Sequence, residues 1–147
     1  MFWKTKRLAA IALIFLAGCD TLTGTQPEKA LWNALDIQNY DFVYQVSCFC
    51  GFTIPNPVKL SVRNGVVSAA EPIGSFVGTL PPLSVYPTID SLFVVLETAQ
   101  KNTPTGVTVE FDPTYHYPTK ISIDPVKNAT DDEVTYSVES FVPVIEK

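Results

Sequence analysis

Apolar side chains change their spacing from one segment of this chain to the next, and each spacing predicts a different element. Residues 8–18 are apolar without a break. From about Pro27, Leu31, Ala34 and Leu35 recur at helical spacing with Trp32 beside them, and Thr25 and Glu28 stand at capping-box separation. That helix should fade over Asp36–Asn39. From Tyr40 to Phe49 the period shortens to two, with Phe42, Tyr44, Val46 and Cys48 on one face. Val58–Arg63 and Val66–Ala70 flank Asn64-Gly65, a dipeptide suited to the positive φ angles of a type I′ hairpin turn. A two-residue turn pairs Val62 with Val67 and Leu60 with Ala69. Glu71 to Pro87 has no period and reads as a long loop. Thr88 to Asn102 is a second helix, capped by Thr88, with Ile89, Leu92, Phe93, Leu96 and Ala99 as its buried stripe. Three short alternations follow, through Val107, Val109 and Phe111, through Ile121 and Ile123, and through Val134, Tyr136 and Val138.

One apolar and one polar face per strand predict an antiparallel sheet that is wet on one side, with the helices covering the other. The expected architecture is therefore α+β: a two-layer domain, an antiparallel β-sheet packed by two helices, preceded by a signal-peptide helix. The expected division is a signal peptide over 1–18, a tether over 19–26 and a single domain over 27–147.

The first apolar run spans 11 residues, too short to cross a bilayer, which takes roughly 20. Lys4, Lys6 and Arg7 precede it and small residues end it, as in a secretory signal peptide. Leu16-Ala17-Gly18-Cys19 resembles the lipobox of bacterial lipoproteins, in which small residues admit the backbone to a protease and the following cysteine takes diacylglycerol. That resemblance implies lipidation at Cys19, anchoring to a membrane through covalent lipid, and a location in the cell envelope facing the periplasm. Each buried methylene adds about 0.8 kcal/mol, so two or three acyl chains hold where one does not. Asp20, directly after the lipid site, resembles an inner-membrane retention signal.

Charge narrows the partners. Losing Lys4, Lys6 and Arg7 with the signal takes the net charge from −5 to about −8. A domain this acidic repels nucleic acid and anionic headgroups, so no nucleic-acid partner is expected.

A longer series of motifs points to a family. Trp32, Asn39-Tyr40-x-Phe42-x-Tyr44, Ser47-Cys48-x-Cys50-Gly51, Thr88-Ile89-Asp90-x-Leu92-Phe93, Tyr117-Pro118-x-x-Ile121-x-Ile123-Asp124 and Asp131-Asp132-Glu133 resemble, in order, a family of uncharacterised bacterial lipoproteins with a domain of unknown function. The resemblance spans nearly the whole mature chain. It implies a secreted or lipid-anchored domain with a Cys-x-Cys pair and carries no activity. It departs at His116, where members often have glycine.

Candidate chemistry is sparse. With Cys19 lipidated, Cys48 and Cys50 remain in an oxidising compartment, where an even pair commonly forms a disulfide. In a flat strand, residues two apart are too distant for a bridge, so pairing needs a turn or bulge at Phe49. Closing so short a loop contributes only about 1.6 kcal/mol. A structural disulfide, a redox pair and a soft-metal site all remain open. His116 is the single histidine, and no serine stands in a nucleophile motif. Asp112, Asp124, Asp131, Asp132 and Glu133 cluster near strand ends without the ligand spacing of a calcium loop. No enzyme activity, cofactor or metal is expected. The expected role is interaction with an envelope protein or a small ligand, with Pro72, Phe76, Leu80 and Tyr86 as the contact loop. Thiol redox or soft-metal handling at Cys48 and Cys50 is the alternative.

Overall fold

The computed structural model describes residues 24–49, 54–126 and 132–145. In chain order the elements are α1 (Thr25–Leu35), β1 (Tyr40–Cys48), β2 (Val58–Arg63), β3 (Val66–Pro72), a 3₁₀ turn over Leu83–Val85, α2 (Ile89–Asn102), β4 (Val107–Phe111), β5 (Pro118–Ile123) and β6 (Val134–Pro143). The six strands form one antiparallel sheet in the order β3-β2-β1-β6-β5-β4. Among the described residues no helix is long and apolar enough to cross a membrane.

This corrects the expected architecture. The described chain is mostly antiparallel β-sheet with two helices of 11 and 14 residues, not an even two-layer α+β arrangement. The expected signal-peptide helix lies outside the described residues. The physical reason is that only one helix acts as an apolar layer. α2 buries Ile89, Leu92, Phe93 and Leu96 against the sheet, whereas α1 buries only Thr25 and Trp32.

α1 also turns a different face inward than its leucines predict. Leu31 and Leu35 remain 46% and 43% exposed, while Trp32 is 3% exposed. The docking stripe is polar and runs Thr25, Lys29, Trp32, one residue per turn. Thr25 Oγ1 donates to Gln100 Oε1 at 2.9 Å, Lys29 Nζ pairs with Glu97 at 2.8 Å, and Trp32 Nε1 donates to Asp90 Oδ1 at 3.2 Å. The partners descend α2 as the stripe ascends α1, so the two helices pack antiparallel. Thr25 is thereby taken from the expected capping box. The residue before the helix is Gly24, which makes no side-chain cap. At α2 the cap is as read: Thr88 accepts from Ser91 N, and Ser91 Oγ accepts from Thr88 N.

On the apolar face of the sheet, Tyr40, Phe42, Tyr44 and Val46 of β1 and Val58, Leu60 and Val62 of β2 are buried. The opposite face carries Lys59, Glu110, Lys120 and Glu139 to solvent.

Two serines reset the alternation. In β3, Val62 opposes Val67 as expected, but Leu60 opposes Ala70 and not Ala69, because Ser68 bulges out between them. Its Oγ donates back to Ser61 O at 3.1 Å. The bulge keeps both Val67 and Ala70 against the core. In β6, Ser140 takes a φ of 53° where the pairing slips between Asp41 and Val43. Without that extra residue Phe141 would face solvent; with it the ring packs 4.7 Å from Tyr117, 5.3 Å from Tyr40 and 5.8 Å from Trp32.

Gly106 opens β4 where no side chain fits. An added Cβ would overlap the Asp124 carbonyl oxygen just past β5, while Asp124 N donates to Gly106 O at 2.7 Å. Gly106→Ala is therefore expected to lower stability by about 1–3 kcal/mol, read by urea denaturation. In the same assay Trp32→Ala should cost about 3–5 kcal/mol and Leu31→Ser no more than roughly 0.5 kcal/mol. Equal losses at Trp32 and Leu31 would contradict the polar docking stripe.

Candidate functional site

Of the residues singled out by the sequence, Cys19, Cys50 and Asp131 lie outside the described residues. Cys48 ends β1, half-buried, with its sulfur in a disulfide. Phe49 beyond it is 80% exposed. The contact-loop residues differ in exposure. Pro72 belongs to β3 opposite Val58, Phe76 is half-buried, Leu80 is 42% exposed and Tyr86 is 5% exposed. What the segment does expose is an apolar series of Ile73, Val77, Leu80, Leu83 and Val85.

The acidic residues separate by role. Asp112 organises the β4–β5 turn, its Oδ1 accepting from Thr114 N and Tyr115 N at 2.9 and 2.7 Å. This is the side-chain mimicry of a backbone turn that favours aspartate in such positions. Asp132 Oδ2 accepts from Val126 N at 3.1 Å. Among the described residues no group of three or more His, Cys, Asp or Glu side chains is arranged to hold a metal ion. His116 sits at a φ of 64°, in the left-handed region that favours glycine, and its Nδ1 lies 2.9 Å from Glu28 Oε2. The contact clasps the β4–β5 turn to α1. Both side chains are about 30% exposed, so the pair contributes little energy.

The concave feature lies where α2 does not cover the sheet. A cleft of about 500 Å³ opens there. Tyr44 and Val46 of β1 and Tyr136 of β6 line it from the sheet, Ser91, Leu92 and Val95 from α2. Pro81, Ser84, Val85, Tyr86 and Pro87 form the remaining wall, and Ile54 closes one end. The segment leaving Ile54 is fixed by Asn56, whose side chain accepts from Val46 N at 3.1 Å and donates to Val46 O at 2.7 Å. It thus continues the β1 ladder before β2 begins. A second cavity of about 530 Å³ shares Ser84, Tyr86 and Ser91 with the first and extends to Val66, Val67 and Leu83. Tyr86 therefore stands in the partition between them.

Burial pushes the Tyr44 phenol up from its ordinary pKa, and neighbouring Tyr136 pushes it further. Burial likewise raises Tyr136 and Tyr86. The phenols of the cleft are neutral hydrogen-bonding groups at any physiological pH. The reading of the sequence placed Tyr86 in a contact loop and Tyr44 and Tyr136 in the core, and had no signal for the gap between them. The available hint was a phenol, not a phenylalanine, at two core-facing strand positions, since a buried hydroxyl asks for a partner.

Outside the cleft, burial raises Tyr40 as well, whose oxygen accepts from Ile89 N at 3.0 Å, and burial with Asp112 and Tyr115 nearby pushes Tyr117 up to about 12. In the unfolded chain these phenols titrate near 10. Folded pKa values above unfolded ones mean that the unfolded state loses protons first as pH rises. The phenols' contribution is thus intact below pH 10 and is lost above it, by roughly 1.4 kcal/mol per pH unit for each phenol. Stability should be flat up to about pH 9 and fall steeply from pH 10 to 12. Absorbance at 295 nm should show phenolate appearing later in native than in guanidinium-unfolded protein; coincident titration curves would contradict the burial of these hydroxyls.

No curated protein and no solved structure matches the chain. A family of unknown function, DUF6174, matches residues 24–143. That span runs from the residue before α1 to the last residue of β6 and so takes in every strand of the sheet and both walls of the cleft. The chain belongs to this family of unknown function, DUF6174.

Proposed function

We propose that this protein is a lipid-anchored component of the cell envelope that works as a non-enzymatic binding module. The observation that carries the binding reading is the exposed apolar series from Ile73 to Val85 beside an apolar cleft. Apolar surface held together in this way on a small domain marks an interaction site. The anchor rests on the resemblance of Leu16-Ala17-Gly18-Cys19 to a lipobox and on the positive residues ahead of it. Lipidation at Cys19 would hold the domain at the membrane, facing the periplasm, with Asp20 favouring inner-membrane retention. The acidic net charge argues against nucleic acid as a partner.

Thiol chemistry at Cys48 and Cys50 is the second reading, favoured by the disulfide state of Cys48 next to an exposed Phe49 at the end of β1. A redox titration with alkylation of free thiols separates it from a structural role. Half-reduction near −200 mV supports the reading, and resistance down to about −300 mV removes it.

Detergent phase partitioning tests the anchor. Wild type expressed in a bacterial host should enter the detergent phase and Cys19→Ser the aqueous phase; identical partitioning would remove the anchor. For the binding surface, Val77→Asp with Leu80→Asp should lower native cross-linking to envelope partners at least tenfold. Both side chains are exposed, so stability should change by no more than about 0.5 kcal/mol. Undiminished cross-linking by this variant would overturn the loop as the contact surface.

A further inference from the structure

The chemistry of the cleft selects its occupant more narrowly than the binding reading, on which this inference rests. Among the described residues, none that lines it carries a charge. An ion drawn in would lose its hydration and find no counter-charge, which excludes phosphorylated and carboxylate ligands as its natural occupants. The polar side chains that line it are hydroxyls: Ser84, the phenols of Tyr44, Tyr86 and Tyr136, and Ser91, whose hydroxyl is engaged in the α2 cap. The remaining walls are apolar, chiefly Val46, Ile54, Val85, Leu92 and Val95. The volume falls in the range of small-ligand sites, roughly 300–1,000 Å³.

Tyr86 supplies the second, independent observation. The residue is 5% exposed, and its hydroxyl is buried without a hydrogen-bond partner among the described residues. A buried donor without an acceptor is costly, and native structures leave few of them. This one stands in the partition between two cavities, behind a 3₁₀ turn held by Val85 N donating to Pro82 O at 3.1 Å and Tyr86 N to Leu83 O at 3.2 Å. An acceptor oxygen seated beside it gains a hydrogen bond that the empty protein does not form.

We propose that the cleft between α2, β1, β6 and the 81–87 segment binds an uncharged, largely apolar small molecule bearing a carbonyl-type acceptor, which Tyr86 orients by donating its hydroxyl. Apolar contact supplies most of the affinity, and the Tyr86 donor fixes the direction of entry.

Benzophenone is a suitable probe, being uncharged, apolar, a carbonyl acceptor and photoreactive. Full-length protein in detergent is irradiated with it, digested, and the adducts are located by mass spectrometry. Adducts should concentrate on Val46, Val85, Leu92 and Val95. Ser84 is exposed at the cleft wall, so Ser84→Trp fills the cleft without entering the core and should reduce these adducts at least tenfold. Tyr86→Phe should raise the probe concentration for half-maximal labelling roughly two- to tenfold, the worth of one neutral hydrogen bond. 4-Benzoylbenzoate, the same rings with a carboxylate, should label at least tenfold less. Adducts spread over Leu31, Val77 and other exposed side chains, unaffected by Ser84→Trp, would overturn the site. Equal labelling by the carboxylate would overturn the neutral-ligand assignment, and unchanged labelling of Tyr86→Phe the role of Tyr86. The cross-linking assay on Val77 and Leu80 reads the loop separately. Cleft labelling without loop-dependent capture leaves this site standing and removes the loop as contact surface; loop-dependent capture with scattered labelling does the reverse.

Discussion

A single antiparallel sheet with one apolar face has to keep that face from water, and nearly everything else in this protein follows from how incompletely its helices manage it. α2 lays four buried side chains against the sheet, running closest to β5 and β4. One end is covered by a tier of rings instead: Trp32 against Tyr40 at 5.7 Å, Phe141 at 5.8 Å and Tyr117 at 6.3 Å, mostly edge to face. Such pairs contribute on the order of 1 kcal/mol each beyond their burial. The strip over Tyr44, Val46 and Tyr136 is left to the 81–87 segment, which bridges it without filling it. The cleft is what remains when a six-stranded sheet is paired with so little helix.

The polar contacts of α1 fit the same account. α1 does not rest its leucines on the sheet; it is clipped to α2 through Thr25, Lys29 and Trp32 and thereby delivers one large ring to the aromatic tier. The hydrogen bond from Trp32 to Asp90 matters for position more than for energy. It sets the indole where Tyr40 and Phe141 can close on it, and Tyr40 in turn receives the first backbone N–H of α2. Helix start, strand start and ring cluster are thus tied at one point.

Strand identity was legible because β1, β2 and β4 keep strict alternation, and the α2 cap because Thr88 and Ser91 have the chemistry to satisfy the first backbone donors. Phase was legible only as far as the first irregularity. Ser68 and Ser140 each add one residue to a strand, and nothing in a serine distinguishes a bulge from an ordinary outward position. Alternation therefore pointed to Ala69 where the core holds Ala70, and it ended the last strand before Phe141. The inward face of α1 was hidden because its contacts are polar, and a reading keyed to apolar spacing chose Leu31 and Leu35. The cleft was hidden for another reason: Tyr44 and Tyr136 follow the core pattern faithfully, and a void between correctly patterned residues leaves no trace in either.

The strand order has one more consequence, concerning what the molecule presents to its own copies. With β3 and β4 outermost among the described strands, the sheet is open at both ends, and an open edge is a template on which another chain can add a strand. Both edges are poor templates. On β3 the Ser68 irregularity breaks the ladder of backbone groups partway along, and Pro72 ends it with no donor. β4 is only five residues long and carries the charged, exposed Glu110. The irregularity at Ser68 that defeats a simple alternation rule also denies a neighbouring copy a straight edge to join, so among the described residues the backbone itself guards against fibrous self-association.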